Sequence, residues 1–379
     1  MRSVTEFVSD RARAIDASGV RKVFDLAAKL KDPINLSIGL PDFDVPDAAK
    51  LAAKNAIDAG RNRYTPTQGI AELRAPLKAA MDAEFGRDVG DLFVCSGVSG
   101  GLMLTLMAML NPGDEAVYLD PYFVMYRHLC TLAGVKGVPV DTYPDFRLNP
   151  EKLEAAITPR TRLLMLNSPS NPTGVVMSEQ EIRDAVDIAK KHDLFILSDE
   201  IYDPFYYNHP IEAAERTGLY SPAQVYDRTI VLRGFSKSYA MTGWRLGWAA
   251  GPTEIIQQMT KLQQYTFVCA PAPFQHAAVA ALSVRVDDHI AAYRKKRDLV
   301  ISRLSSKFEI VQPEGAFYLF PKAPAGMTAT EFCTQAVKRN VLTIPGSVFS
   351  ARDTHFRISY ATTDEKLAEG CDVLNALAG

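Results

Sequence analysis

From Asp91 to Arg233 short runs of β-branched and apolar residues alternate with segments of helical periodicity, and no other feature narrows the possible folds as far. The apolar runs at 92–95, 116–119, 162–166, 194–197 and 229–233 have strand length, while 102–110 and 178–192 carry a helical pattern. Strand and helix in alternation predict a mainly parallel sheet covered on both faces, an α/β fold. Trp248-Ala249-Ala250 predicts one more strand, whose direction the sequence does not reveal. After a helical pattern from about Phe274 to Leu304 the style changes: short strands around 316–320 and 356–360 flank a helix over 330–339. This predicts a second, smaller α+β domain packed closely on the first.

Composition removes several classes of function. The chain has 379 residues and a formal net charge of −2, and its one dense basic run, Arg294-Lys295-Lys296-Arg297, falls inside a helical pattern and reads as a solvated face. No wide basic patch interleaved with aromatics is present, so nucleic-acid binding is not expected. The five cysteines, Cys95, Cys130, Cys269, Cys333 and Cys371, are dispersed without C-x-x-C spacing. They read as small core residues in a reducing compartment, and no metal site is expected. Residues 1–7 mix charges without an apolar core of signal length, and no apolar run is long enough to cross a bilayer, so no membrane association and a cytoplasmic location are expected. Met103 and Met107, four apart, read as core packing.

Ligands of parallel sheets collect beyond the carboxyl ends of the strands, and there this chain concentrates its reactive side chains. Lys237 follows the 229–233 run in Gly234-Phe235-Ser236-Lys237, with Arg245 close behind. A lysine attacks an aldehyde only when neutral, and burial beside another cation lowers its pKa toward that form. An arginine fork suits a phosphate. Together they suit pyridoxal 5′-phosphate (PLP), although taken alone both read as surface charges on a loop. Asp199 and Tyr202 end the 194–197 run. An aspartate facing the pyridine nitrogen keeps it protonated, and Tyr202 could donate to the ring's phenolic oxygen; alone, Asp199 reads equally as a helix cap.

Ser168-Pro169-Ser170-Asn171-Pro172-Thr173-Gly174 cannot continue a strand and offers the Asn171 amide to the phenolic oxygen or to a substrate carboxylate. Ser96-Gly97-Val98-Ser99-Gly100-Gly101 opens a helix, where backbone N–H groups favour phosphate, or is only a tight connection. Phe123 could stack on a planar ring or pack in the core. Arg357 alternates with apolar residues in Phe356-Arg357-Ile358-Ser359-Tyr360 and requires a buried anion, either a carboxylate side chain or a substrate carboxylate.

Taken in order, S-P-S-N-P-T-G, S-D-E-I-Y, F-S-K-S-Y-A-M-T-G-W-R-L-G, P-E-G-A-F-Y-L-F and F-R-I-S-Y-A resemble the class I PLP-dependent aminotransferases of fold type I, the aspartate aminotransferase superfamily, from about Asn35 to the carboxyl terminus. The resemblance implies a large PLP domain over 46–276, a small domain from 1–45 and 277–379, and a homodimer with shared active sites. It implies that Lys237 carries the cofactor, that Asp199 pairs with the pyridine nitrogen, and that Tyr202 and Asn171 bind the phenolic oxygen. Ser99, Gly100 and Arg245 match phosphate ligands, and Phe123 the stacking aromatic. Arg357 matches the residue gripping the substrate α-carboxylate, and Gly39 the mobile segment that closes over substrate. Tyr64 resembles the tyrosine reaching the partner subunit's phosphate. Two departures stand out. Gly234 replaces a serine that many relatives use on the phosphate, for which Ser236 either compensates or leaves one bond fewer. Ser99 stands where some dicarboxylate-specific relatives carry a lysine, which weakens an aspartate-specific reading.

These roles imply an aminotransferase moving the amino group of an L-amino acid to a 2-oxo acid, 2-oxoglutarate being the common acceptor, with ping-pong kinetics. A carbon–sulfur β-lyase of the same fold is the rival, since fold and cofactor do not fix which bond breaks; a non-catalytic PLP-binding regulator is a third reading, set against the lack of a helix-turn-helix-sized extension. Side-chain specificity depends on a pocket involving Ile38, Tyr122, Phe317 and the partner chain.

Overall fold

The computed structural model describes residues 3–15, 19, 28, 30–208 and 218–379. A two-residue strand, β1 (Ile34–Asn35), precedes the central sheet. That sheet contains β2 (Asp91–Ser96), β3 (Glu115–Asp120), β4 (Lys136–Asp141), β5 (Thr161–Asn167), β6 (Phe195–Asp199), β7 (Thr229–Gly234) and β8 (Leu246–Gly251), in the order β2-β8-β7-β6-β5-β3-β4. Pairs β3–β4, β3–β5, β5–β6 and β6–β7 are parallel, whereas β8 is antiparallel to both β2 and β7. Strands β2, β3, β5, β6 and β7 therefore end at one edge of the sheet, and β8 begins there.

Every residue of β7 and β8 is buried, as continuous apolar runs covered on both faces require. Strand β4 is different. It pairs only with β3, carries Lys136 and Pro139 and is largely exposed or half-buried, so nothing in its composition announced it. A proline, lacking the ladder donor, is tolerated at such an edge. The helix Gly97–Met109 follows β2, and Glu179–Lys191, closed by a Ser178/Glu181 capping box, leads into β6.

Three expectations need correction. The pattern over 274–304 is two helices, Ala272–Ala281 and Asp287–Leu304. The break is local: the Ser283 hydroxyl donates to the Ala280 carbonyl at 2.9 Å, and β-branched Val284 closes a tight turn onto Ala281. The basic run is not a uniformly solvated face either. Arg294 and Lys295 are exposed, but Arg297 is only 5% exposed and donates to the Pro313 carbonyl, while Lys296 pairs with Asp42 and the Thr362 carbonyl. Met103 packs on the core, whereas Met107 is 41% exposed.

The carboxyl-terminal region adds β9 (Tyr318–Leu319), β10 (Val341–Leu342), β11 (Ile344–Pro345) and β12 (Phe356–Ser359), with a helix at Ala329–Lys338. Strand β1 pairs in parallel with β10, and β11-β12-β9 form an antiparallel sheet. The Leu36 amide donates to Leu342 and its carbonyl accepts from Ser359, so the 34–37 segment is laced between β10 and β12. Part of the expected 1–45 contribution, residues 1–2, 16–18, 20–27 and 29, lies outside the described residues. One apolar cluster runs from Phe93 and Leu102 to Phe317, Phe332 and Leu374, giving the two regions a shared core.

Candidate active site

The common strand edge gathers most of the residues read from sequence. Ser99 and Gly100 follow β2, Phe123 follows β3, Asn171 follows β5, Asp199 ends β6 and Lys237 follows β7. The antiparallel run of β8, unreadable from sequence, brings Arg245 to the same edge.

Lys237 is half-buried, and its Nζ donates to the Gly39 carbonyl at 2.6 Å. Nζ lies 5.9 Å from the ring centres of both Tyr202 and Phe317. Burial, then the cations Arg357 and Arg245, draw its pKa from 10.5 down to about 8, against the opposing pull of Asp199. Asp199 is 2% exposed. Its Oδ2 accepts from the Tyr126 hydroxyl at 2.7 Å and its Oδ1 from the Ile201 amide at 3.3 Å. Burial pushes its pKa from 3.8 up to about 6, although both hydrogen bonds and Lys237 oppose this. Turns, not a helix, follow β6, so Asp199 is not a helix cap.

Arg357, on β12, is 3% exposed. Its NH1 donates to Asn171 Oδ1 at 2.8 Å and its NH2 to the Ser37 carbonyl at 2.7 Å, while its Nε has no partner. Tyr318 and Phe349 rings lie 4.5 and 4.8 Å from the guanidinium carbon. Both named partners are neutral oxygens. The anion required by a buried guanidinium is therefore not supplied by a carboxylate bonded to it among the described residues.

The turn bearing Asn171 is held from two sides. Its own amide donates to Asn167 Oδ1, and Asn167 Nδ2 donates to the Asp199 carbonyl, both at 2.9 Å. Gly174, at φ +72°, accepts from the Glu314 and Gly315 amides, and a side chain there would collide with Pro313 and the Tyr318 carbonyl. The Tyr202 hydroxyl meets the Tyr318 hydroxyl at 2.8 Å. Phe123 is half-buried, edge-on to Tyr126.

On the other flank Gly97, at φ +68°, opens its helix, and a Cβ there would stand 2.6 Å from an Arg245 guanidinium nitrogen. Arg245 itself is exposed. The Ser99 hydroxyl lies 3.5 Å from Met125 Sδ, Gly100 is buried and Ser236 is 8% exposed. Tyr64 is 83% exposed.

Tyr126, Asn167, Tyr318 and the Ser37 carbonyl were not singled out from sequence. Tyr126 had a usable signal, lying three residues after Phe123 at the start of a helix. Ser37 had none, because it contributes a backbone oxygen. Among the described residues no helix is long and apolar enough to cross a membrane, and no group of three or more His, Cys, Asp or Glu could hold a metal ion.

Residues 31–374 match the family described as Aminotransferase class I and II. The aromatic-amino-acid aminotransferase 2 of Thermococcus litoralis is 38% identical, with 96% of each chain covered. The aspartate/prephenate aminotransferase of Cereibacter sphaeroides is 38% identical over 98% of each. The structure superposes on the Thermus thermophilus aspartate aminotransferase with maleate at a TM-score of 0.91, 33% identity and full coverage of both chains. A buried cation, a buried carboxyl and a lysine of lowered pKa stand at the edge of a mainly parallel sheet. The family match and the relatives show that this chain belongs to the class I and II aminotransferases. It is a PLP-dependent transaminase acting on amino acids and 2-oxo acids.

Proposed function

We propose that this enzyme passes the amino group of an L-amino acid to 2-oxoglutarate in two half-reactions, releasing the first 2-oxo acid before the second binds. The observation that carries the site assignment is Arg357: a buried guanidinium bonded to neutral oxygens, close enough to Lys237 to lower its pKa. A substrate α-carboxylate supplies the missing anion, with Asn171 fixing the fork's orientation. When bound, the cofactor supplies an electron-accepting ring that takes up the electron pair left at the substrate α-carbon. Lys237 Nζ, whose pKa of about 8 in the cofactor-free chain leaves about half of it neutral at that pH, would remove the α-proton and give a proton back. Asp199 holds a proton at the pyridine nitrogen, which a buried carboxylate favours over remaining unpaired. Tyr202 donates to the phenolic oxygen, and Asn171 lies within the same set. Phe123 covers the ring face; Ser99, Gly100, Ser236 and Arg245 bind the phosphate, Ser236 standing in for the serine absent at Gly234. Gly39 belongs to the segment that closes over substrate.

The same reading divides the chain into a large domain, 46–276, and a small one from 1–45 and 277–379. It makes the enzyme a homodimer in which Tyr64 reaches the partner subunit's phosphate, a role in keeping with its exposure. The free cysteines, four of them buried, suit a cytoplasmic location.

The deciding experiment adds amino acids one at a time, without oxo acid, to the PLP-loaded enzyme and follows the cofactor's absorbance. Conversion to the amine form by a particular amino acid, reversed by 2-oxoglutarate, names the donor and establishes the two-stage sequence. Release of pyruvate and ammonia with the starting absorbance restored unaided would instead identify a lyase.

A further inference from the structure

We propose that Tyr318 is a positioning residue for the reaction: its hydroxyl donates to Tyr202 Oη and thereby directs the hydrogen of Tyr202 toward the phenolic oxygen of the bound cofactor. This rests on the placement of Tyr202 given above. The two hydroxyls are 2.8 Å apart, with Tyr202 3% and Tyr318 1% exposed. Neither hydroxyl makes another hydrogen bond among the described residues.

Tyr318 has little freedom to turn elsewhere. Its backbone is paired with Ser359 of β12, and its ring lies on the Arg357 guanidinium at 4.5 Å and stands edge-on to Tyr202 at 5.6 Å. Its hydroxyl abuts Gly39 so closely that a Cβ at that position would collide with it. A tyrosine hydroxyl has one hydrogen, so Tyr202 either donates to Tyr318 or accepts from it. A negatively charged ring oxygen is a stronger acceptor than a neutral phenol. Once it is present, the Tyr202 hydrogen goes to it, and the vacated acceptor on Tyr202 is filled by Tyr318. Such chained hydrogen bonds strengthen one another.

The charged groups around the pair are Arg357, which acts on both tyrosines, Asp199, which acts on Tyr202, and Lys237, whose Nζ lies 5.9 Å from the Tyr202 ring centre; Tyr293 and Tyr360 are the titratable neighbours of Tyr318. A Tyr318→Phe substitution leaves all of these in place and keeps the ring that packs on Arg357. It removes the donor to Tyr202 together with the oxygen that abuts Gly39. Tyr202 then donates less strongly, and the form of the bound cofactor with the most negative ring oxygen, its high-pH form, loses stabilisation. The pH midpoint of the cofactor's visible absorbance should rise.

The test titrates the absorbance of the PLP-loaded wild type, Tyr318→Phe, Tyr202→Phe and the double variant. Loss of one hydrogen bond corresponds to an upward shift of about half to one pH unit for Tyr318→Phe. Tyr202→Phe should shift further, and the double variant no further than Tyr202→Phe alone. KM for the amino acid should stay within about twofold in Tyr318→Phe, because the contact with Arg357 survives. A shift in Tyr202→Phe with none in Tyr318→Phe overturns this inference and leaves the placement of Tyr202 standing. Additive shifts in the double variant also overturn it, since Tyr318 would then act by another route. No shift in Tyr202→Phe would remove the underlying placement, and the inference with it.

Discussion

Arg357 NH1 donates to Asn171 Oδ1 at 2.8 Å, joining the carboxyl-terminal sheet to the turn that follows β5. The amide oxygen orients the guanidinium without neutralising it, so its charge is kept for a ligand. Replacing Arg357 by Gln should raise KM for the amino acid and lower kcat/KM by roughly 30-fold to several thousand-fold, the range for truncating a buried charge partner of about 2–5 kcal/mol. The cofactor's absorbance before substrate is added should persist. Steady-state kinetics on the variant, with KM near wild type, would remove Arg357 from the carboxylate site.

Asp199 links cofactor binding to stability. Its pKa in the folded, cofactor-free chain is about 6 against an ordinary 3.8, so the native state holds this proton more tightly than the unfolded one. Folding stability from this group is therefore present below about pH 4 and is lost as pH rises toward 6. Asp199→Asn keeps the shape and removes the ionisation. The cofactor-free variant should unfold at or above the wild-type temperature at pH 8, with the advantage shrinking toward pH 4. Its affinity for PLP should fall by about 10- to 150-fold, as expected on losing a charge-assisted hydrogen bond. Scanning calorimetry at several pH values checks the first expectation, and a difference that ignores pH would contradict it.

Lys237 should show its lowered pKa directly. With a value near 8, its amine becomes neutral, and therefore nucleophilic, as pH rises through 8 rather than through 10.5. Capture of PLP by the cofactor-free enzyme, trapped by borohydride and read by mass spectrometry, should rise with a midpoint near pH 8. Lys237→Ala should give no adduct at this site. Arg357→Gln should move the midpoint upward, because Arg357 is the largest charge acting on Lys237 after burial. An adduct on the same peptide in Lys237→Ala would show that another nucleophile holds the cofactor.

The alternating fold was legible because strands buried on both faces are written as unbroken apolar runs. What escaped was decided elsewhere. The direction of β8 depends on its neighbours, not its own residues, yet it determines that Arg245 reaches the strand edge. Edge strand β4, with Lys136 and Pro139, lacks the apolar signature because its faces are largely exposed or half-buried, unlike those of the opposite edge strand β2. Helical spacing marks 274–304 without showing the turn at Ser283 and Val284, and in that stretch as in the helix Gly97–Met109 it leaves open which stripe faces the core, so Arg297 reads as exposed and Met107 as buried. In the site, residue types at strand ends could be read singly. The contacts of Lys237 with Gly39 and of Arg357 with Ser37 could not, because both end on backbone carbonyls, which every residue possesses.

Gly39 offers a last check, because nothing about its backbone demands glycine. Its φ lies outside the left-handed region, so the constraint is space: a Cβ would run into the Tyr318 hydroxyl. The same residue's carbonyl accepts from Lys237 Nζ at 2.6 Å. Gly39→Ala must therefore displace either the 37–39 segment, and with it the Ser37 carbonyl on Arg357, or Tyr318. Either movement disturbs the carboxylate site. A clash of this kind is worth roughly 1–3 kcal/mol, so kcat/KM should fall by about 5- to 150-fold. Removing the obstructing oxygen with Tyr318→Phe should recover part of that loss in the double variant, although Tyr318→Phe alone should lower activity. Kinetics of the two single variants and the double variant form a closed cycle in which a favourable coupling is expected. Purely additive losses would mean that the two residues do not share this space in the working enzyme.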